Sequence, residues 1–335
     1  MASDAGKPPP AQDAQADVQK PTHPPLTGTQ AVGATLEATD DAPLRSGPSS
    51  SDAAIDTSPS GSVCSIVFTG APKNGFYEVW FEGKVGFCSG AYLAIAKAPS
   101  QKTLATKVVS QIIEPLGSGT DSAGHSYSDK NYWNFCAPGA VTAALSYWGD
   151  DATSFPAGKF QEPYGPYKVS TYWDDAHSRA YLMHIAEQVS PPSFTAAGLP
   201  SFSTYPTTGS SLGDIRDVLN WEASNHASGW SGFFYEKISA SVSTATLHAD
   251  VARDVTGNHA VVVTVDTTYL PNWSRGLGHA IAIVGYDDSA GTYAYVDTCG
   301  KACNGSAQAT NGGVWHVSQS KMHTAIAAFG AGYAR

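Results

Sequence analysis

The distribution of apolar residues divides the chain into a strand-rich first part and a second part that begins with helices. Short runs of β-branched and aromatic residues occupy 62–96, and turn signals such as Asn74-Gly75 separate them. This pattern predicts a small antiparallel meander. Apolar positions at helical spacing predict a helix over 102–113. Residues 136–148 are apolar on nearly every side and predict a central, buried helix.

The pattern after this central helix changes from helices to strands. Two further helices are predicted at 171–189 and 212–224, and residues 248–256 form another candidate helix. Four apolar segments then predict strands at 260–265, 279–286, 292–298 and 313–318. Because helices precede strands instead of alternating with them, the order indicates an α+β fold.

Three regions are expected along the chain. Residues 1–62 are rich in Pro, Ala, Ser and Thr and poor in aromatic residues. Such a composition buries too little apolar surface to offset the entropy of ordering, so it predicts a disordered tail or linker. We expect residues 63–116 to form a small β-rich region with one helix, and residues 117–335 to form the catalytic domain.

Composition and charge exclude two classes of function. The formal net charge is -10 and no basic run occurs, which argues against nucleic-acid binding. No apolar stretch reaches the roughly 18–20 residues needed to cross a bilayer. Only 14% of residues are charged, which is typical of an extracytoplasmic enzyme. The first residues show no signal peptide, yet the cysteine content favours a secreted or extracytoplasmic protein.

The five cysteines suggest one unpaired thiol. Cys64 and Cys88 flank the predicted meander, and Cys299 and Cys303 lie four residues apart in a short loop. Pairing each couple as a disulfide leaves Cys136 alone, which makes it a candidate reactive thiol. The alternative is that all five are reduced and structural.

Cys136 lies where a nucleophilic cysteine is expected, at the beginning of the central helix with Pro138 just inside it. A helix N-terminus and an imidazolium partner both favour the thiolate. His279 opens an apolar strand, and Asp297 on the next strand lies where it can orient that imidazole. His259 also precedes an apolar strand, but it lacks an acid at a comparable place.

The motifs NFCAPGA, GHAIAIVGYDD and YVDTCG, in this order, resemble the papain-like cysteine peptidases, most closely the branch of bacteriocin-processing (double-glycine leader) peptidases. The resemblance covers about residues 125–320. It implies a papain-like fold, in which a central helix carrying the nucleophile packs on an antiparallel β-sheet. It also implies Cys136 as nucleophile, His279 as base and Asp297 as orienting acid. A monomer that acts on a peptide or protein, without cofactor or metal, is expected.

The oxyanion hole is where this chain departs from the resemblance. The family combines the backbone N–H of the nucleophile with a side-chain amide, usually a Gln several residues upstream. Position 130 is Lys, and no Gln lies between 112 and 136. Asn131 is therefore the expected donor, with Asn134 as second choice. The missing Gln motivates one alternative, a non-catalytic papain-like binding module; an acyl transferase or amidase with the same triad is another.

A zinc site is the metal alternative. The spacing of Cys299, Cys303, His316 and His323 is similar to that of a zinc finger. However, His316 lies in a predicted strand, and the six residues between the two histidines exceed the usual three to five. A disulfide between the two cysteines is therefore expected instead of a metal.

The loop before His279 contains Asn272-Trp273-Ser274, which fits the pattern of a glycosylation acceptor. Trp273 is a candidate for the wall of the cleft, and an ordinary surface or core aromatic is the alternative.

Overall fold

A computed structural model describes most of the chain, and the described part contains two large antiparallel sheets, one separate two-stranded pair and four α-helices. The described residues are 23–67, 70–81, 84–106, 119–120, 126–127, 136–149, 210–226, 235–299 and 313–335. None of the four helices in these ranges has the length and apolar character needed to span a bilayer.

The first seven strands form one sheet, which we call the N-terminal sheet. Its strands are β1 (Thr35–Ala38), β2 (Ala42–Arg45), β3 (Ala54–Ser58), β4 (Val63–Ile66), β5 (Phe76–Phe81), β6 (Lys84–Ser89) and β7 (Leu93–Ile95). Their spatial order is β3-β2-β6-β5-β4-β1-β7. The predicted turn at Asn74-Gly75 precedes β5, and both residues have the positive φ (52° and 80°) that this dipeptide adopts readily.

The prediction of a disordered tail over 1–62 is wrong for β1, β2 and β3. Leu36, Ala38, Ala42 and Leu44 alternate with more exposed residues and are at most 1% exposed. They pack in one core with the larger side chains of β4 to β7. The segment cannot form a core by itself, but strands that follow it in sequence supply the missing apolar surface. Residues 1–22 lie outside the described residues.

The predicted disulfide between Cys64 and Cys88 is also wrong, because both cysteines are free and buried. Cys64 lies on β4 and Cys88 on β6, and β5 runs between these two strands. Two strand spacings separate their backbones by roughly 9.6 Å, beyond the reach of a disulfide. Burial raises the pKa of both thiols, that of Cys88 to about 12, so both stay protonated.

The rest of the described chain forms the C-terminal sheet and its helices. The strands are β8 (Gln101–Thr103), β11 (Lys237–Ile238), β12 (Val261–Asp266), β13 (Gly278–Asp287), β14 (Thr292–Asp297), β15 (Gly313–Ser318) and β16 (Tyr333–Ala334). Their order is β11-β16-β12-β13-β14-β15, and β8 pairs with β13. The helices are α1 (Cys136–Gly149), α2 (Leu212–His226), α3 (Thr244–Thr256) and α4 (Gln319–Phe329). A separate pair is formed by β9 (Gly119–Thr120) and β10 (Ser126–Tyr127).

The predicted α+β class is confirmed, since α1 packs against β13 of an antiparallel sheet. The four strands predicted late in the chain correspond to β12 to β15, and the helices predicted at 136–148 and 212–224 correspond to α1 and α2. The helix predicted at 171–189 lies outside the described residues.

The helix predicted over 102–113 is wrong at its beginning, because residues 102 and 103 belong to β8. Residues 107–113 lie outside the described residues. The N–H of Leu104 donates to the carbonyl of Val284 over 2.8 Å, and the Leu104 side chain is buried. This segment therefore joins the C-terminal sheet, although it was expected within the region 63–116.

The N-terminal sheet contacts the last turn of α3 and the segment that joins α3 to β12. The Thr35 hydroxyl donates to the carbonyl of Arg253 over 2.9 Å, and Ser65 Oγ lies 3.2 Å from His259 Nε2. The Trp80 ring meets the His259 imidazole edge-on, with 5.1 Å between ring centroids. His259 thus lies buried in the joint between the two sheets.

This buried joint predicts a specific dependence of stability on pH. Burial, together with the positive charges of Lys102 and Arg253, lowers the pKa of His259 to about 3. In the unfolded chain the His259 imidazole binds a proton near pH 6.5, whereas in the folded chain it stays neutral down to about pH 3. Its contribution to the stability of the folded state is therefore complete above pH 6.5. It decreases by about 1.4 kcal/mol per pH unit as the pH falls toward 3. Urea unfolding measures the free energy of unfolding at pH 7 and at pH 5. Between these two pH values the wild type should lose about 1–2 kcal/mol more of this free energy than His259→Gln.

The matched control is His316→Gln, because His316 is exposed on β15. This variant should keep the pH dependence of the wild type. Equal losses of stability in all three proteins would contradict the assignment to His259.

Candidate active site

Cys136 is the first residue of α1 and is half-buried, whereas residues 137–146 of this helix are fully buried. Two polar residues occur in this apolar segment. The Thr142 and Ser146 hydroxyls donate to carbonyls of their own preceding turn, over 2.8 Å and 2.7 Å. Because these hydroxyls are satisfied within the helix, α1 can be surrounded by apolar neighbours. Its N-terminus is thereby held in place, and with it the sulfur.

A close approach between α1 and the end of β14 positions the helix. A Cβ atom added to Gly139 would lie 2.6 Å from the Oγ1 of Thr298, well inside contact distance. Thr298 follows Asp297 directly. Gly139 therefore allows the helix that carries Cys136 to lie against the strand end that carries the acid.

The pairing of β13 with β14 places the acid beside the imidazole. Ala282 is opposite Val296, so one further step places Ile281 opposite Asp297. His279 is two residues before Ile281 and on the same face, which makes it a diagonal neighbour of Asp297. His279 Nε2 donates to Asp297 Oδ1 over 2.9 Å.

The His279 side chain is also hydrogen-bonded to the sulfur of Cys136. Since Nε2 faces Asp297, Nδ1 is the ring nitrogen that remains for the thiol. The structure therefore brings Cys136, His279 and Asp297 into one continuous chain of hydrogen bonds. His279 is 5% exposed and Asp297 is fully buried.

Four donors surround the Asp297 carboxylate. Oδ1 accepts from His279 Nε2 and, over 2.8 Å, from the backbone N–H of Cys299. Oδ2 accepts from the Asn272 side-chain amide and from the Trp273 indole N–H, each over 2.6 Å. A carboxylate offers about four acceptor positions, so all of them are in use. The buried charge is therefore fully compensated.

Charge and hydrogen bonding outweigh burial in all three groups. Burial favours the neutral forms, but the charge of His279 and the donors around Asp297 lower the pKa of that carboxyl. Burial opposes the charged form of Cys136 too, yet its hydrogen bond to His279 and the N–H groups of Ala137 and Ala280 lower its pKa. The pKa of His279 is raised against burial by Asp297 and Cys136. The site thus favours a thiolate and an imidazolium.

His259, the other histidine considered as a base, lies elsewhere. Val265 pairs with His279, whereas His259 comes before β12, at the opposite end of that strand. The antiparallel pairing of β12 and β13 thus places the starts of the two strands at opposite ends of the sheet.

Asn131 and Asn134, the expected oxyanion donors, lie outside the described residues, so their role stays a prediction. Cys303 also lies outside them, and its disulfide with Cys299 stays a prediction as well. His316 is exposed on β15, and His323 Nε2 lies 2.7 Å from the carbonyl of Val242. Within the ranges that the structure describes, no three His, Cys, Asp or Glu side chains are grouped to hold a metal ion.

The loop before β13 contributes more than the sequence indicated. Trp273 stacks at a tilt on His279, with ring centroids 4.8 Å apart, and its N–H binds Asp297. Asn272 is 4% exposed, so its amide is not available as a glycosylation acceptor in the folded chain. Tyr295 donates to Asn272 Oδ1 over 2.6 Å. An Asn-Trp pair shortly before the histidine was the only sequence signal for this network.

Comparison with known proteins gives one family match. Residues 103–320 match the Peptidase_C39 like family. Among solved structures, the chain is similar to the interpain A cysteine protease of Prevotella intermedia, with 14% identity and a TM-score of 0.30 over 59% of this chain and 82% of that one. It is similar to NlpC2 from Trichomonas vaginalis, with 12% identity and a TM-score of 0.17 over 85% and 71% of the two chains. No curated protein matches the chain.

The electrostatics of the site predict that Asp297→Asn destabilises the ion pair. Without the carboxylate the imidazolium loses its main stabilisation, so the pKa of His279 falls and the proton returns to the sulfur. The thiolate fraction at pH 7 should fall to the few per cent of an ordinary cysteine. Ultraviolet absorbance of the thiolate, measured against the same protein with Cys136→Ser, reports this fraction.

Asp287→Asn is the matched control, because Asp287 is the last residue of β13 and His279 lies near the beginning of the same strand. Its thiolate titration should equal that of the wild type, and circular dichroism checks that each variant is folded. An unchanged titration in folded Asp297→Asn would contradict the electrostatic role of Asp297.

Proposed function

The chain belongs to the Peptidase_C39 like family, and we propose that it is a peptidase in which Cys136 is the nucleophile, His279 the acid and base, and Asp297 the orienting group. One observation carries the proposal: the sulfur, the imidazole and a fully hydrogen-bonded buried carboxylate form one chain of contacts. This geometry matches the nucleophile–base–orienter arrangement of covalent catalysis.

In the first step the Cys136 thiolate attacks the carbonyl carbon of the scissile amide. A C–S bond forms and the carbonyl electron pair moves to oxygen. When the C–O double bond re-forms, the C–N bond breaks, and the His279 imidazolium gives its Nδ1 proton to the leaving amine. The products are a thioester on Cys136 and a free amine.

In the second step the neutral His279 accepts a proton from water at Nδ1, and the resulting hydroxide attacks the thioester. The C–S bond then breaks and the carboxylic product leaves. This step regenerates the Cys136 thiolate, and His279 is again the imidazolium because it has kept the proton taken from water. Asp297 stays ionised throughout and stabilises the imidazolium.

We propose that the oxyanion is stabilised by the backbone N–H of Cys136 and by the side-chain amide of Asn131, with Asn134 as the second choice. Each such donor contributes roughly 3 kcal/mol to transition-state stabilisation. The Cys136 N–H belongs to the first turn of α1, where backbone donors lack partners within the helix.

The resemblance to double-glycine leader peptidases suggests the first substrates to test, namely peptides with Gly-Gly before the scissile bond. An extracytoplasmic location fits the low content of charged residues, 14%. A non-catalytic binding module is the less favourable alternative, because recognition alone requires no fully buried carboxylate behind a histidine. An acyl transferase or amidase would use the same first step and differ in substrate or acceptor.

The proposal predicts that Cys136 reacts selectively with iodoacetamide at pH 6. An ordinary thiol, with a pKa of about 8.5, is less than about 1% ionised there. Loss of the imidazolium in His279→Gln should therefore slow the alkylation of Cys136 roughly 100-fold. Mass spectrometry of the Cys136 peptide gives the rate, and buried Cys64 and Cys88 should not react.

His259→Gln is the control for this experiment, and its Cys136 should react as fast as in the wild type. If both histidine variants react at the rate of the wild type, the ion pair and the catalytic assignment are wrong.

Peptide cleavage tests the reaction itself. Wild-type protein should release new amino termini from Gly-Gly peptides, Cys136→Ser should release none, and His279→Gln should lose about 10²–10⁴-fold in kcat/KM. Acid quenching followed by mass spectrometry should trap the acyl group on Cys136. A fast-reacting Cys136 that is never acylated by any peptide would favour the binding module. Transfer of the acyl group to an added amine in preference to water would favour the acyl transferase.

A further inference from the structure

We propose that Tyr295 is a positioning residue, whose hydroxyl fixes the orientation of the Asn272 amide and thereby keeps the Asp297 carboxylate aligned on His279. The proposal deepens the proposed function, on which its catalytic consequence depends. Its structural part concerns only the Tyr295–Asn272–Asp297 relay and can be tested without a substrate.

The relay consists of two short hydrogen bonds in series. The Tyr295 hydroxyl donates to Asn272 Oδ1 over 2.6 Å, and Asn272 Nδ2 donates to Asp297 Oδ2 over 2.6 Å. Tyr295 and Asp297 are fully buried, and Asn272 is 4% exposed. Water therefore does not readily replace either bond, and each polar atom depends on its protein partner.

The donors and acceptors permit only one orientation of the Asn272 amide. An ionised carboxylate only accepts hydrogen bonds, so the amide NH2 has to face Asp297. The amide oxygen then faces Tyr295, whose hydroxyl supplies the donor it needs. A flipped amide would place its oxygen against Asp297 Oδ2, where two acceptors repel each other in a medium of low dielectric constant. The Tyr295 hydroxyl thus selects the orientation that stabilises the carboxylate.

Strand geometry holds both ends of the relay at a fixed separation. Tyr295 and Asp297 are two residues apart on β14, so their side chains point to the same face. Asn272 reaches between them from the loop before β13. Trp273, the next residue, supplies the second donor to Asp297 Oδ2. The loop is thereby clamped against β14 at two successive residues.

The hydroxyl of Tyr295 also keeps the proton that it has to donate. Burial raises the pKa of this phenol well above its ordinary value, and the negative charge of Asp297 raises it further. Tyr295 therefore acts as a constant donor over the whole pH range in which the histidine titrates.

The experiment replaces Tyr295 by Phe, which removes the hydroxyl and keeps the ring. It is carried out in a Cys136→Ser background, so that titration of the thiol does not couple to that of His279. Nuclear magnetic resonance follows the imidazole of His279 through a pH titration, together with the proton between its Nε2 and Asp297. We expect the midpoint of the His279 titration about one pH unit lower in Tyr295→Phe, with an upfield shift of that proton.

Tyr293→Phe is the matched control. Tyr293 is a buried tyrosine on the same strand, but its hydroxyl lies 3.5 Å from His248 Nδ1, on α3. Its removal should leave the His279 titration unchanged. An unchanged titration in Tyr295→Phe, or an equal change in both variants, would overturn the proposal.

A double-mutant cycle tests whether Tyr295 acts through Asn272. Asn272→Ala alone should lower the midpoint of the His279 titration, and adding Tyr295→Phe should then change it no further. Additive shifts would show that Tyr295 acts by another route and would overturn the relay. If Tyr295→Phe does not fold, Asn272→Ala carries the test, and an unchanged His279 titration in that variant overturns the proposal.

A failure of the Tyr295–Asn272–Asp297 relay can be distinguished from a failure of the proposed peptidase function. If Tyr295→Phe shifts the His279 titration but the wild type cleaves no peptide, the relay stands and the peptidase proposal fails. If the wild type cleaves peptides and Tyr295→Phe shows no shift, the relay alone fails. In the active protein, Tyr295→Phe should move the alkaline limb of the pH profile of kcat/KM to lower pH, because the imidazolium is lost earlier.

Discussion

The buried carboxylate of Asp297 is the group on which the arrangement of the site depends. An ionised carboxylate removed from water costs several kcal/mol unless partners replace its hydration. Here a histidine, a backbone N–H, an amide and an indole replace it completely. These donors come from β13, from the residues after β14 and from the loop before β13. Satisfying one charge therefore fixes three separate segments relative to one another.

The same compensation explains how an ion pair can exist in a buried place. Burial by itself favours a neutral thiol and a neutral imidazole. The negative Asp297 reverses this preference for His279, and the positive His279 reverses it for Cys136. The start of α1 adds the N–H of Ala137 beside the sulfur. Each charged group is thus stable only because the next one is present, which makes the three groups a single electrostatic unit.

The two sheets have different roles: the C-terminal sheet positions the site residues, and the N-terminal sheet supports the scaffold away from them. The N-terminal sheet contacts the rest of the structure at the joint between α3 and β12, where its residues Ser65 and Trp80 contact His259. His279 pairs with Val265 at the far end of β12. Contacts of the N-terminal sheet with this joint therefore stabilise the scaffold without contributing to the site.

The pattern of apolar residues was enough to locate most of the local elements and to single out the Cys136, His279 and Asp297 side chains. The apolar periodicity located α1 and strands β12 to β15, because in these segments local pattern and tertiary burial agree. The position of Cys136 at a helix start, and of His279 and Asp297 on successive strands, followed from the same pattern. The resemblance to papain-like peptidases led to the same three residues.

Features that depend on contacts between distant residues became visible only in the folded chain. The strands before residue 62 have a core only because β4 to β7 supply most of its apolar surface. The composition of residues 1–62, taken alone, therefore led to the wrong prediction of a disordered tail. The pairing of Cys64 with Cys88 failed because a strand separates them, a fact of sheet order that sequence spacing does not contain. The relay from Tyr295 through Asn272 to Asp297 joins a loop to a strand more than twenty residues later. No local pattern encodes such a network, because it exists only when register and loop path are both fixed.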